Sequence, residues 1–136
     1  MSDLSGLGHM KILLVQHNEG LSDLWSAFLR REGIEVAQAY SQAEAIDILR
    51  FNSFDALVLD VILPDGGAIA ISDYATYRQP DIPIVAVTSS NFFTDGSIFD
   101  LIPNARSLMH TPVRPSDLAA VLDHYTAGDI GDVKTA

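Results

Sequence analysis

The chain has 136 residues, enough for one domain of ordinary size and too few for two. Nearly half of them (48%) are hydrophobic, so a packed core can form, yet no apolar run reaches the roughly 18 residues that span a bilayer. The formal net charge of −10 repels nucleic-acid phosphates and argues against direct nucleic-acid binding, and the absence of cysteine excludes disulfides, thiolate metal sites and cysteine nucleophiles.

Residues 1–10 are small and polar and read as a disordered segment or a tag; they lack the basic start and apolar stretch of a secretory signal, so a cytoplasmic location is expected. The domain proper runs from 11 to 126. Ile12 to Val15 is continuously apolar, as in a strand buried on both faces, and stops at Gln16, His17, Asn18 and Glu19. Asn18 is a candidate N-cap for a helix whose apolar stripe is Leu21, Leu24, Trp25, Phe28 and Leu29, with Arg30 and Arg31 in its last turn and Gly33 as its stop. Ile34 to Ala39 alternates, which suits a strand with one face less buried. Ser41 and Glu44 form a capping box opening a helix with Ala45, Ile46 and Leu49.

Ala56 to Leu59 is a second continuous apolar run, ending at Asp60. After Pro64-Asp-Gly-Gly67 a weaker helix carries Ile71, Tyr74 and Ala75 and stops near Pro80. Ile84 to Val87 is the fourth buried strand and ends at Thr88 and Ser89. Asn91 to Ile102 reads as a moderate helix, a short strand lies near Ser107 to His110, and Pro115 starts a last helix with Leu118, Val121, Leu122 and Tyr125. Residues 127–136, with two glycines and no aromatic residue, read as a flexible tail.

Five βα units imply a parallel, doubly wound α/β sheet between two helix layers, a (βα)5 three-layer sandwich. The first, third and fourth strands are the most apolar, so the second and fifth belong at the edges. The order 2-1-3-4-5 satisfies this and is the flavodoxin-like order. Ligands in such sheets bind at the carboxyl ends of the strands where the chain reverses direction, which here gathers Gln16, His17, Asp60 and Thr88.

With these residues in place, the sequence resembles the receiver domain of bacterial response regulators, the CheY-like modules of two-component and phosphorelay signal transduction. The resemblance covers 11–126 and rests on "DALVLDVILPDGG" (55–67), "DIPIVAVTSS" (81–90) and "HTPVRPSDL" (110–118), in the family's order and spacing. It implies that Asp60 is the phosphoacceptor, that Thr88 supplies the hydroxyl, and that the backbone carbonyl of Ile62 lies where a metal ligand would be. It also implies a non-enzymatic module that works through protein partners: a sensor kinase, a phosphotransferase or a regulated effector. The corresponding Thr111–Pro112 bond is usually cis in that family.

The pocket departs from the family pattern. The acidic pair expected after the first strand is replaced by Gln16 and His17, the lysine by Thr111, and the fifth-strand aromatic by Leu108. Magnesium prefers hard oxygen ligands, and imidazole is a poor one. With Asp60 as the lone carboxylate, the metal site is degenerate, Mg2+ binding is expected to be weak at best, and no other cofactor is expected. The reading is an atypical receiver acting through partners, with a working phosphoacceptor as the alternative. A plainer role exists for each residue: Asp60 as a turn cap, Thr88 as a strand residue, His17 as a polar helix-entry residue. A transition-metal site on His17 and Asp60 is conceivable, with His110 facing away from it. Phe92 and Phe93 are either core residues or, with Leu108, a partner or dimer face. Gly66 and Gly67 suit a turn better than a phosphate cradle. A flavin carrier on this fold would need a hydroxyl- and glycine-rich loop after the first strand, which QHNEG is not.

Overall fold

The structure is a computed structural model that describes residues 9–64, 66–89 and 98–126. Its apolar runs form five parallel strands: β1 (Met10–Val15), β2 (Ile34–Ala39), β3 (Ala56–Asp60), β4 (Ile84–Thr88) and β5 (Ala105–His110). They lie in the order β2-β1-β3-β4-β5, as expected from their polarity. β3 and β4 are buried along their whole length, whereas both edge strands carry exposed or half-buried positions. Helices α1 (Glu19–Arg31), α2 (Gln42–Phe51), α3 (Ala68–Arg78), α4 (Ile98–Leu101, within the described residues) and α5 (Pro115–Thr126) connect or follow them. Among the described residues, no helix is long and apolar enough to cross a membrane.

Alternation along each strand splits the core in two. Leu13, Val15, Leu57, Leu59, Ile84 and Ala86 meet α2, α3 and α4 through Leu49, Ile71 and Ile98. Ile12, Leu14, Val58, Val85 and Val87 meet α1 and α5 through Trp25, Leu29, Leu118 and Leu122. The three-layer α/β architecture therefore follows from odd and even residues of the same apolar runs facing opposite helix layers.

Local signals act where they were read. The Asn18 side chain accepts a hydrogen bond from the Leu21 N–H at 3.0 Å and starts α1. Ser41 accepts from the Glu44 N–H at 3.3 Å, while the Glu44 carboxylate reaches back to the Tyr40 N–H at 2.7 Å. Gly66 has a φ of 72°, a left-handed turn position, which accounts for that glycine without a phosphate cradle. The Thr111–Pro112 bond is cis.

One helix face differs from its reading. Leu24 is 57% exposed, and the buried stripe of α1 is Ser22, Trp25, Ser26 and Leu29, with Leu21 and Phe28 packed at its margin. Small serines let α1 approach the sheet closely, and Ser22 accepts a 2.8 Å hydrogen bond from Gln38 of β2. The apolar count along α1 favoured its leucines, whereas close packing and this polar link fix its rotation. From the end of α1, Arg30 donates to the Val36 carbonyl at 2.9 Å. Phe92 and Phe93, the N-terminal residues 1–8 and the tail from 127 lie outside the described residues.

Candidate functional site

β1 and β3 are neighbours and end at the same level, with Val15 opposite Leu59. The chain turns away from β1 toward α1 and from β3 toward α3, so the two exits diverge and leave a cleft above the sheet. It encloses about 160 Å³ and is lined by residues that include Gln16, His17, Asn18, Asp60, Ser89 and Thr111. The structure thus brings Gln16, His17, Asp60 and Thr111 together. Thr88 is fully buried at the end of β4 and is not among the lining residues, and its carbonyl accepts from the Thr111 N–H at 2.9 Å. Ser89 was not singled out as a site residue from the sequence; its signal is its place immediately after a buried strand.

Asp60 is the last residue of β3, and its side chain is only 6% exposed, against 44% for His17. Both of its carboxylate oxygens have partners. Oδ1 accepts from the Ile62 N–H at 2.9 Å. Oδ2 lies 2.8 Å from His17 Nδ1. With Asp60 ionised the carboxylate can only accept, so Nδ1 carries the shared proton and the imidazole is held in one orientation. Burial raises the Asp60 carboxyl above its ordinary range, and the Ile62 N–H and the His17 ring oppose that rise without cancelling it. Gln16 is buried, and its Oε1 accepts from the Asn18 N–H at 3.0 Å, which ties the β1 exit to the start of α1.

Hard divalent cations take oxygen ligands, and among the described residues the cleft offers one carboxylate, both oxygens of which are engaged, and a side-chain amide whose oxygen already accepts a backbone proton. Among the described residues no three histidines or carboxylates lie close enough to hold a metal ion. His110, at the exposed end of β5, is not among the lining residues. Ile62 contributes its N–H to Asp60, and its side chain is exposed. Leu108 is half-buried and packs against the core between the sheet and α2 to α4.

A parallel 2-1-3-4-5 sheet with an aspartate closing its third strand narrows the choice of family, and comparison with known proteins decides it. The family model of the response regulator receiver domain matches residues 12–122. The chain belongs to that family. Among curated relatives, the response regulator SaeR of Staphylococcus aureus is 27% identical over 107 residues, which are 79% of this chain and 46% of SaeR. The chain therefore spans about half the length of the curated relatives it matches. Among solved structures, a CheY-like response regulator receiver domain protein from Methanospirillum hungatei superposes with a TM-score of 0.81 at 23% identity, covering 92% of this chain and 99% of that one. The non-phosphorylated HemR receiver domain from Leptospira biflexa gives 0.76 at 26% identity, with 87% and 94% covered. This receiver domain is a module of two-component phosphorelay signalling, and its Asp60 closes β3 where the family resemblance puts the phosphoacceptor.

Proposed function

We propose that this receiver domain is atypical: it acts by binding protein partners, and magnesium-dependent phosphorylation of Asp60 is weak or absent. The observation that carries this reading is the engagement of both Asp60 oxygens, by His17 Nδ1 and the Ile62 N–H, in a cleft with no second carboxylate among its described lining residues. An aspartyl phosphate forms when a carboxylate oxygen attacks a phosphoryl donor, and the new group adds a charge of roughly −1.5 to −2. Receiving it here puts the phosphoryl group on an oxygen that already accepts a hydrogen bond, from His17 Nδ1 or from the Ile62 N–H. Thr111 stands where the family resemblance puts a lysine, and among the described lining residues there is no lysine or arginine to meet that charge, which leaves His17 as the candidate cation there.

On this reading the domain is not an enzyme and needs no resident cofactor. Its partners are a sensor kinase, a phosphotransferase or a regulated effector, recognised through the protein surface in the cytoplasm. Its charge of −10 opposes direct contact with nucleic acid. Incubation with acetyl phosphate and millimolar Mg2+, followed by intact-mass measurement, tests the proposal. Little or no gain of a phosphoryl group is expected. Rapid, stoichiometric gain of one phosphoryl group, lost in Asp60→Asn, would instead establish a working phosphoacceptor.

A further inference from the structure

The Asp60 carboxylate does more to His17 than hold it in place. Nδ1 lies 2.8 Å from Oδ2 of a side chain that is only 6% exposed, while the His17 side chain is 44% exposed. The ring therefore turns Nδ1 into the protein. Its other nitrogen, Nε2, has no hydrogen-bond partner among the described residues. With the shared proton on Nδ1, the neutral ring carries its lone pair on Nε2. A carboxylate behind an imidazole fixes this tautomer, makes the far nitrogen more basic and stabilises the cation formed when that nitrogen bonds. Such a nitrogen is an activated nucleophile. No other described histidine is built this way. His110 and His124 are exposed and have no carboxylate partner among the described residues. His9 meets Glu35 at 3.3 Å, but through Nε2, and both side chains are more than half exposed, so water screens the pair.

The cleft points to the electrophile. Ser89 and Thr111 line it beside His17, two hydroxyl residues, and its volume of about 160 Å³ is small for an organic ligand but enough for a phosphoryl group. The charge that opposes a phosphoryl group on Asp60 is met differently here. The acceptor becomes cationic as it bonds, Asp60 balances that cation, and the group stands on a half-exposed side chain where water screens it.

We propose that Nε2 of His17 is a phosphoryl-acceptor site for phosphoramidates, a class that includes a phosphorylated histidine on a partner protein, with Asp60 as its positioning residue. The Nε2 lone pair attacks phosphorus while the donor's phosphorus–nitrogen bond breaks. The donor nitrogen leaves with that electron pair as a neutral amine or imidazole, and its positive charge passes to the His17 ring, whose Nδ1 proton stays shared with Asp60. A protonated donor nitrogen offsets part of the phosphate charge, which suits a chain of net charge −10 better than an acyl phosphate does.

The proposal rests on the reading that Asp60 is not itself the acceptor, and bond chemistry separates the two. Wild type, Asp60→Asn and His17→Gln are incubated with potassium phosphoramidate and EDTA at about pH 8, a little above the ordinary imidazole range. Intact mass follows phosphoryl gain, and peptide mass spectrometry locates it. Wild type should gain a group at His17 that resists hydroxylamine and is lost in acid, roughly ten- to a hundredfold faster than His110 or His124. His17→Gln should keep only the slow background. Asp60→Asn should slow His17 by a similar factor, because the amide donates to Nδ1 and leaves the ring proton on Nε2. Nitrogen–proton NMR correlation of the imidazole reads that change of tautomer, which a folding defect would not produce. His17 reacting no faster than His110 and His124, or as fast in Asp60→Asn, would overturn the proposal and leave the partner-binding reading intact. A hydroxylamine-sensitive acyl phosphate on Asp60 would overturn both.

Discussion

Replacing His17 by aspartate reverses the sign of the contact that holds Asp60 and should give the cleft the metal response it is proposed to lack. Two unit charges 4 Å apart repel by about 4 kcal/mol at an effective dielectric near 20 and by about 1 kcal/mol in water. Position 17 is 44% exposed and Asp60 only 6%, so the pair falls between those limits, at about 2 kcal/mol. Loss of the hydrogen bond adds about 1 kcal/mol, below the roughly 1.5–3 kcal/mol of a bond to a charged group, because water reaches the vacated side. In metal-free buffer His17→Asp should therefore be about 3 kcal/mol less stable than wild type. With an m-value of roughly 2 kcal/mol/M, that lowers the urea midpoint by about 1.5 M. Mg2+ that binds only the folded variant returns about 1.4 kcal/mol at ten times its Kd and about 2.7 kcal/mol at a hundred times. Urea unfolding followed by the fluorescence of Trp25, the single tryptophan and fully buried in α1, measures both shifts. Wild type should show the same midpoint with and without millimolar Mg2+, while the variant's midpoint rises. A wild-type midpoint that climbs with Mg2+ as far as the variant's would refute the account of a cation-poor cleft.

Other substitutions have effects of defined sign. The Asp60 pKa is raised from 3.8 by burial, so the native state holds its proton more tightly than the unfolded chain, and the stability Asp60 contributes falls as pH rises from about 3.8 through the higher folded value. Asp60→Asn should lack that decline in urea midpoint across the acidic range, because the amide can accept from the Ile62 N–H and donate to the His17 ring without a buried charge. Gly67→Ala should destabilise by about 1–3 kcal/mol in the same assay, since its methyl would sit 2.5 Å from Gln42 Cβ and one of the two helices must shift. Ser41→Ala removes the α2 N-cap and should cost about 1 kcal/mol. Leu57→Ala, at a fully buried β3 position, should cost about 2–5 kcal/mol, and a smaller loss would mean that the sheet collapses around the cavity.

Most of the fold was legible because the sequence marks it redundantly. The runs beginning at Ile12, Ala56 and Ile84 are apolar at every position, and Asn18, Ser41 and Pro115 each mark the entry to a helix. The rotation of α1 was not legible, because Leu24 looks like core in any count of apolar residues while Ser22 and Ser26 do not. What decides it is the close approach of two serines and a hydrogen bond from Gln38, which are tertiary facts. The site shows the same division. Gln16, His17 and Asp60 could be brought to one cleft from strand order alone. The 2.8 Å contact between the imidazole and the carboxylate, and the presence of Ser89 and not Thr88 among the lining residues, depend on the paths of loops with no periodic pattern to read.

The guanidinium of Arg30 has a wider consequence. Carbonyls alternate in direction along a strand, and that of Ala39 points inward to the Gln16 N–H, so that of Val36 points outward, along the open rim of β2. Arg30 occupies that outward acceptor, which the amide of an incoming strand would otherwise use to extend the ladder. The sheet margin is thus blunted against templated growth, the first step toward fibrillar misassembly, by a side chain anchored in the helix next door.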